Sequence, residues 1–407
     1  MHSKNVSVWE NVAGRRLLPA VILVTNSFTW YALTGIFFQQ IISELNLHDH
    51  ETFAVLSFYF LAIGFSVVLG ATLVRSRRKL LLFWMLIGTI SSLSLLFIGN
   101  NLPTSAYLVA LFVGISIGVG LPSCLAYFID ATSIDNRGML GGIAWSITSL
   151  SIFLFMMGMS ILSYFSIILA LITFRFLGLI IFFVTSEKVK TRFEEQTVPS
   201  YSMTLGSKGL TLYLSSWIMF CLINWLELPI IGKLFGQELS ALSGLIEITL
   251  SGVSALLGGF FSDKIGRKRV IVAGFVFLGI GYAVLGLFLS NQIVWYIYMV
   301  LDGIAWGIFA VVFFMVLWGD LAENARKERF YLIGGLPYLL AGYLSVLVQP
   351  YLSTIQLNTL FSFASLFLFL AVLPLLYAPE TLPEKKIRER ELKGYIDKAK
   401  KTREKYT

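Results

Sequence analysis

The sequence is short of charged residues and of cysteine. Asp, Glu, Lys and Arg make up 13% of its 407 residues, whereas a typical water-soluble domain has about a quarter of its residues charged. The two cysteines, Cys124 and Cys221, both lie within apolar runs, which argues against a disulfide framework. No apolar run contains histidine, a nucleophile with a base at helical spacing, or a cluster of metal ligands, so an intramembrane enzyme is not expected.

What the sequence does have is long hydrophobic runs. Hydrophobic residues amount to 57% and the mean hydropathy is +0.80. About twelve runs, from residues 17–40 to residues 357–377, reach the roughly 20 residues with which a helix crosses a bilayer. Inside lipid, a helix satisfies every backbone polar group without water. The sequence therefore predicts an all-α membrane protein with about twelve transmembrane helices.

The basic residues follow the topology of these runs. With the N-terminus in the cytoplasm, all Lys and Arg except Lys233 and Arg175 fall in the N-terminal segment, in cytoplasmic loops or in the C-terminal tail. This positive-inside pattern predicts a multi-pass protein of the cell membrane with both termini in the cytoplasm. The net charge of +8 then reflects topology, and we expect the lipid bilayer and no nucleic acid as partner of the basic surface.

The two halves of the chain repeat each other. Residues 70–79, GATLVRSRRK, align with residues 259–268, GFFSDKIGRK, and residues 114–118 align with residues 303–307 at the same separation of 189 residues. A parallel repeat of this kind predicts two pseudo-symmetric bundles of about six helices each, as in many transporters. The predicted units are a cytoplasmic N-terminal segment (1–16), a first six-helix bundle (17–185), a cytoplasmic linker (186–208), a second six-helix bundle (209–378) and a charged cytoplasmic tail (379–407).

The loop between the eighth and ninth runs carries a motif. It reads Gly-x-x-x-Asp-Lys-x-Gly-Arg-Lys from Gly259 to Lys268, and it resembles the loop signature of the major facilitator superfamily of secondary transporters, G-x-x-x-D-R/K-x-G-R-R/K. The number of runs, the repeat and the central linker resemble this family too. Pro379-Glu380-Thr381 is similar to a tripeptide that follows the last span in its sugar-porter branch. The resemblance implies the family's fold and the transport of a small solute.

In this family the signature's Asp is thought to hold the two halves together on the cytoplasmic side. A carboxylate is stabilised at a helix N-terminus by the helix dipole and by nearby arginine, so the resemblance implies that Asp263 binds the start of the fifth span, near Arg137. The first copy of the motif has Val74 in place of the Asp and Arg77 in place of the second Gly, which predicts an asymmetric contact without charge pairing on the Val74 side. The residues assigned to this cytoplasmic gating loop are Gly259, Asp263, Lys264, Gly266, Arg267, Lys268 and Arg137.

Charged residues inside the predicted spans are candidates for substrate binding and proton coupling, because charge is costly in a bilayer and often functional there. Asp302 lies near the middle of the tenth span, and Glu227 and Glu247 lie in the seventh and eighth. The alternative is a neutral structural acid bonded to a neighbouring helix. Arg175, in the sixth span, is interpreted as a snorkelling or helix-pairing residue. The candidates for substrate and proton coupling are Asp302, Glu227, Glu247 and Asn224.

The resemblance implies that the first, fourth, seventh and tenth spans line a central cavity, which favours Asp302 and Glu227. Helical spacing adds a polar stripe, in which Glu247 and Ser251 are four residues apart, and a second pair, Asn26 and Trp30, with the same spacing. Small-solute sites usually combine aromatic walls with a few polar groups. The predicted cavity lining is Asn26, Trp30, Trp225, Trp306 and Ser251.

These features favour a secondary active transporter that moves a small organic solute by alternating access. The three carboxylates of the second half, Asp302, Glu227 and Glu247, favour proton coupling, in the form of symport, or a cationic substrate. Two alternatives stay open, namely an efflux carrier for hydrophobic compounds and a non-transporting membrane receptor on the same fold. In the fourth span, Gly114 occupies the position where many proton-coupled members carry Arg, which argues against proton coupling by that route. The drug-antiporter signature is missing from residues 141–159, which argues against multidrug export. We expect no metal at His48-Asp49-His50-Glu51, no cofactor, and a monomer.

Overall fold

The computed structural model describes residues 3–45, 47–98, 103–159, 161–186, 200–322, 325–348, 351, 356–382 and 392; side chains are described in these ranges except at residues 3–16, 103, 227, 228, 232, 233, 235, 237, 238 and 240. Twelve helices in this part of the chain are long and apolar enough to cross a membrane, which confirms the predicted all-α architecture. In chain order, spans 1 to 12 are Leu17–Glu44, Asp49–Thr72, Arg77–Phe97, Thr104–Ala131, Arg137–Met159, Tyr164–Thr185, Lys208–Ile231, Ala241–Ile265, Arg267–Leu287, Gln292–Ala322, Lys327–Val348 and Leu357–Tyr377.

Several spans are composed of more than one helix or belong to a longer one. The helices concerned are Ser3–Glu44 (span 1), Arg77–Ser94 with the 3-10 turn Leu95–Phe97 (span 3), Pro103–Gly118 and Leu121–Ala131 (span 4), Lys208–Ile265 (spans 7 and 8), Gln292–Ile308, Phe309–Leu317 and Trp318–Ala322 (span 10), and Leu357–Leu370 and Val372–Tyr377 (span 12), with a short helix, Tyr201–Leu205, before span 7. Spans 7 and 8 form one helical stretch that changes direction at Gly236, whose φ of 72° is a conformation that only glycine adopts readily.

Spans 4 and 10 are irregular at equivalent positions. In span 4 the α-helix ends at Gly118 and begins again at Leu121. In span 10 the α-helix ends at Ile308 and continues as a π-helix over Phe309–Leu317. The repeat of 189 residues places Val119 opposite Ile308. Broken and π-helical turns often mark functional hinges, and here both occur at the same place in the repeat.

The two halves, spans 1–6 and spans 7–12, have their most extensive described contacts in two helix pairs. Span 2 packs against span 11, where Phe60 lies on Gly342, and span 5 packs against span 8, where Gly138 lies on Gly259. Spans 2 and 8 are equivalent in the repeat, as are spans 5 and 11. The two contacts between the halves are therefore related by the pseudo-symmetry of the chain.

The ends of the bundle differ in charge. Successive spans alternate in direction, so the turns after spans 2, 4, 8 and 10 lie at one end. These turns carry basic residues such as Arg77, Arg137, Arg267 and Arg326, and we call this the basic end. The opposite end is called the far end.

Candidate functional site

A cavity of about 360 Å³ lies between the two halves. Spans 1 and 5 of the first half and spans 7, 8, 10 and 11 of the second half contribute to its wall. On span 8 the lining residues run from Gly244 to Ser251, which belong to the part of that span nearer the far end. The cavity is thus displaced from the basic end toward the far end.

Two carboxylates and many aromatic rings form the wall. Asp302 and Glu247 line the cavity from spans 10 and 8, and Asp302 is only 4% exposed. The aromatic residues of the wall are Phe28, Tyr31, Trp145, Trp217, Trp225, Tyr298, Trp306, Phe314 and Tyr338. A mostly apolar cavity with a few polar groups is typical of sites for small organic molecules.

Hydrogen bonds fix the polar groups next to the carboxylates. The Trp306 indole donates to the side-chain oxygen of Asn224 at 3.2 Å, and the Trp145 indole donates to the hydroxyl of Ser251 at 3.0 Å. The second bond joins the two halves, because Trp145 lies on span 5 and Ser251 on span 8. A hydroxyl from Ser243 donates to Glu247, one turn away on the same helix. These bonds orient the groups that a solute would meet.

The structure brings together most of the residues predicted for the cavity. The predicted residues that line it are Asp302, Glu247, Asn224, Trp225, Trp306 and Ser251. The side chain of Glu227 lies outside the described residues, so its role stays a prediction. Sequence reasoning did not single out Tyr31, Trp145, Trp217 or Tyr338, because aromatic residues are common in every span and none of these four has a sequence motif around it.

Asn26 and Trp30 are predicted in the cavity wall, and the structure corrects this prediction. Both side chains are buried among spans 1, 3 and 6 and are absent from the wall described here. Asn26 bonds to the carbonyl of Phe174 and accepts from Arg175, while Trp30 donates to Ser92 at 2.7 Å. The polar face of span 1 therefore serves packing within the first half.

Arg175 is the centre of this buried cluster. Its side chain is fully buried, with its guanidinium 4.7 Å from the rings of both Trp30 and Trp84. It also donates to Asn26 and Ser27, at 2.9 Å each. Arg175 therefore does not snorkel toward a membrane surface. It pairs helices, and the cation–π contacts and hydrogen bonds offset part of the cost of burying its charge.

At the basic end, Asp263 of the second half binds the start of span 5 in the first half. Its buried carboxylate accepts hydrogen bonds from the backbone N–H groups of Gly138 at 2.9 Å and Met139 at 2.7 Å, and it pairs with Arg267 at 2.5 Å. The first N–H groups of a helix have no partner within the helix and favour an anion. This contact therefore stabilises the closed arrangement of the two halves.

Asp320, at the basic end of span 10, extends the same network. It pairs with Arg267 at 3.2 Å and also with Arg137, and its side chain is excluded from solvent. Arg137 belongs to the first half and Asp320 to the second, so this ion pair also crosses between the halves.

A second network joins the halves where span 11 meets spans 3 and 4. The Arg77 guanidinium donates to Glu328 at 2.8 Å and also pairs with Asp130, and Lys327 pairs with Asp130 at 2.9 Å. Arg77 and Glu328 are 2% and 0% exposed. Ion pairs this deeply buried are strongly disrupted when one partner is removed.

This network corrects the prediction of an asymmetric contact. Val74 has no charge, but its carbonyl accepts a hydrogen bond from Arg326 of the second half at 2.6 Å, and the neighbouring Arg77 pairs with Glu328. The repeat places Glu328 opposite Met139, whose N–H group binds Asp263. Where the first loop lacks the carboxylate, the start of span 11 supplies one, so both contacts between the halves contain buried ion pairs.

The remaining loop residues fix the turn between spans 8 and 9. Gly266 has a φ of 105°, which lets the chain turn directly from one span into the next. The N–H groups of Arg267 and Lys268, at the start of span 9, donate to the Glu380 carboxylate at 2.8 and 3.1 Å. Lys264 is exposed. The segment after span 12 thus caps span 9 and holds the loop in place.

Comparison with known proteins is consistent with this architecture. Residues 209–404 match the model of the family described as Major Facilitator Superfamily. No curated protein matches the chain by sequence.

Three solved structures are similar to the chain over most of its length. The proton:xylose symporter XylE, bound to 6-bromo-6-deoxy-D-glucose, is 14% identical with a TM-score of 0.70, covering 91% of this chain and 97% of that one. The human organic anion transporter MFSD10 (TETRAN) is 14% identical with a TM-score of 0.66, covering 89% and 99%. The fucose:proton symporter FucP of E. coli is 8% identical with a TM-score of 0.70, covering 89% and 99%. At these identities the likeness is one of fold, and the match to the Major Facilitator Superfamily model lies in the second half of the chain.

Proposed function

We propose that the protein is a secondary active transporter that moves a small organic solute by alternating access, coupled to protons. The observation that carries the proposal is a cavity between the two halves that contains two carboxylates, the buried Asp302 and the half-buried Glu247, above a basic end held together by ion pairs between the halves. Such a site would open to one side when the halves pivot one way and to the other side when they pivot back. Two of the similar structures are described as proton symporters, which supports the proton as the coupling ion.

The helix irregularities in spans 4 and 10 give the halves a means of bending beside the cavity. Ala310 and Phe314, within the π-helical segment of span 10, line the cavity wall. A change of helix register there would alter the wall and the basic end together, because the same span carries Asp320 at its basic end. This arrangement connects the site to the ion pairs that close the basic end.

The basic end is proposed to face the cytoplasm, with both termini there, in a monomer of the cell membrane. The proposed division of the chain is that of the sequence repeat, with bundles over 17–185 and 209–378 joined by the linker 186–208. In this orientation the cavity lies toward the outside.

Two other functions remain alternatives. The aromatic wall of the cavity would also suit an efflux carrier for hydrophobic compounds. A non-transporting receptor would keep the fold without exchanging the two open states. The two cavity carboxylates favour a coupled transporter over an efflux carrier for hydrophobic compounds. The ion pairs that must break for the basic end to open favour it over a non-transporting receptor.

Alternating access can be tested with single cysteines in a background that carries Cys124→Ala and Cys221→Ala. Gly244→Cys reports on the cavity, since a β-carbon there meets, among the described side chains, only the Met156 methyl at 3.7 Å. Gly141→Cys reports on the basic end, where position 141 faces Val311 across the two halves. In nanodiscs, we expect an impermeant maleimide to label the two sites reciprocally, so that variants that open the basic end raise labelling at 141 and lower it at 244. A receptor that does not alternate would show no reciprocal change.

Proton coupling predicts that the conformation depends on pH through the cavity acids. We expect Asp302→Asn to abolish the change in labelling of Gly244→Cys that accompanies a shift from mildly alkaline to mildly acidic buffer, because the amide binds no proton. The titratable groups that share the cavity with Asp302 are Glu247, Tyr31, Tyr298 and Tyr338. Glu247→Gln is the comparison variant, and an unaltered pH response in both variants would contradict coupling at this site.

A further inference from the structure

The described wall of the central cavity is acidic and contains no basic side chain. Asp302 and Glu247 reach it, whereas no Lys, Arg or His is found among its described lining residues. The buried Arg175 belongs to the packing cluster of the first half and does not contribute to the wall. An anionic solute would meet two carboxylates here with no compensating charge, which is unfavourable in a site of low dielectric constant.

Aromatic faces surround the same space. The ring of Tyr338 lies 5.5 Å from that of Trp225, 5.8 Å from that of Trp306 and 6.1 Å from that of Trp217. Trp145 contributes a further indole from the first half. Indole and phenol faces attract cations, tryptophan most strongly, and quaternary ammonium groups are recognised in this way.

Two uncharged polar groups of the wall already have partners within the protein. The side-chain oxygen of Asn224 accepts from Trp306, and the hydroxyl of Ser251 accepts from Trp145. A sugar or other polyol could bond to the carboxylates and to the Trp225 indole N–H, which has no partner among the described residues, but it would leave both carboxylate charges uncompensated in the cavity. A neutral hydrocarbon would fit the aromatic walls but would gain nothing from the carboxylates.

From the sign of charge and the aromatic wall, we propose that the substrate is a small organic cation, with an ammonium group on an apolar, preferably aromatic, body. The inference rests on the proposed transport function and names its substrate class. The ammonium group lies between the Asp302 and Glu247 carboxylates and the indole faces, and the body fills the remainder of a cavity of about 360 Å³.

The test compares three probes of nearly the same shape on the purified protein in nanodiscs. Phenyltrimethylammonium is the cation, tert-butylbenzene replaces its nitrogen by carbon, and benzenesulfonate carries the opposite charge. With quenching of tryptophan fluorescence as the readout, we expect the cation to bind at least about tenfold more tightly than the neutral probe, as for cation recognition by aromatic groups and carboxylates, and the anion not to bind. Equal binding of cation and neutral probe, or no binding of the cation at millimolar concentration, would overturn the proposal.

Variants locate the binding in the cavity. We expect Asp302→Asn and Glu247→Gln each to reduce the affinity for phenyltrimethylammonium while leaving the affinity for tert-butylbenzene unchanged. Asp135→Asn is the matched control, since Asp135 is an exposed carboxylate at the basic end. An equal loss in Asp135→Asn would assign the effect to surface charge. The comparison of the three probes on the unaltered protein needs no variant, so it tests the preference for a cation even if a variant does not fold.

The binding test of the ligand class and the labelling test of transport can give opposite results. Cation binding without reciprocal cysteine labelling would keep the ligand class and remove transport. Reciprocal labelling without a preference for the cation would keep transport and remove the ligand class.

Discussion

Arg77→Met is expected to open the basic end, raising the population of the open form by about 100-fold or more. The substitution leaves the Glu328 carboxylate, which is 0% exposed, with only Arg326 at 4.0 Å as an ion-pair partner among the described residues. Removing one partner of a buried ion pair costs about 3–5 kcal/mol, and each 1.4 kcal/mol or so changes an equilibrium about tenfold. That cost applies to the closed form, because opening the basic end returns Glu328 to water. The measurement is the labelling rate of Gly141→Cys in nanodiscs.

A second variant separates the charge from the packing. Arg77→Met combined with Glu328→Gln removes both members of the ion pair, so we expect labelling at position 141 to return most of the way to that of the parent protein. Arg78→Met is the matched control, because Arg78 bonds to Ser186 and to the carbonyl of Phe183 within the first half. If Arg78→Met opens the basic end as much as Arg77→Met does, the buried ion pair of Arg77 with Glu328 does not hold this end closed.

The network at the basic end also shows where inference from the sequence stopped. The loop motif predicts the role of Asp263 in the second half, and the aligned first copy has Val74 at the equivalent position. Neither pattern gives a reason to look for a carboxylate on another helix. In the sequence Glu328 lies in a charged turn, and a charge next to a predicted span is usually solvated. Only packing reveals that span 11 brings it, fully buried, against Arg77.

Span positions were predictable because crossing a bilayer requires both length and hydrophobicity, which are read directly from the sequence. Asp302 was predictable for the complementary reason, since a carboxylate in an apolar run is conspicuous. The rotation of span 1 about its own axis was not predictable from the sequence. Most of this span is buried, so a polar pair at helical spacing cannot tell the cavity from the interior of one bundle. Tyr31 lines the cavity, while the adjacent Trp30 lies about 100° around the helix and packs inside the first half.

Gly259→Ala should open the basic end by a steric route that involves no charge. A β-carbon at position 259, on span 8, would overlap the carbonyl oxygen of Gly138 and lie 3.3 Å from the α-carbon of Gly142, both on span 5. The obstructing atoms are backbone, so no side chain can rotate away to make room. Overpacking typically costs about 1–3 kcal/mol, and with backbone on both sides we expect the upper end of that range, or about a 100-fold shift toward the open form.

The cost of the added β-carbon at position 259 is expected to fall on the contact between the halves and not on folding. Labelling at Gly141→Cys should rise and labelling at Gly244→Cys should fall in Gly259→Ala, with little change in thermal stability, because separating the halves relieves the overlap. Gly335→Ala is the neutral control, since a β-carbon there meets no atom of the described residues within 4 Å. Gly70→Ala is the contrasting variant: the overlap at this equivalent position is with the Val119 carbonyl inside the first half, so opening cannot relieve it and stability should fall instead. If Gly259→Ala behaves like Gly70→Ala, the close approach at position 259 serves folding of the bundle and not closure of the basic end.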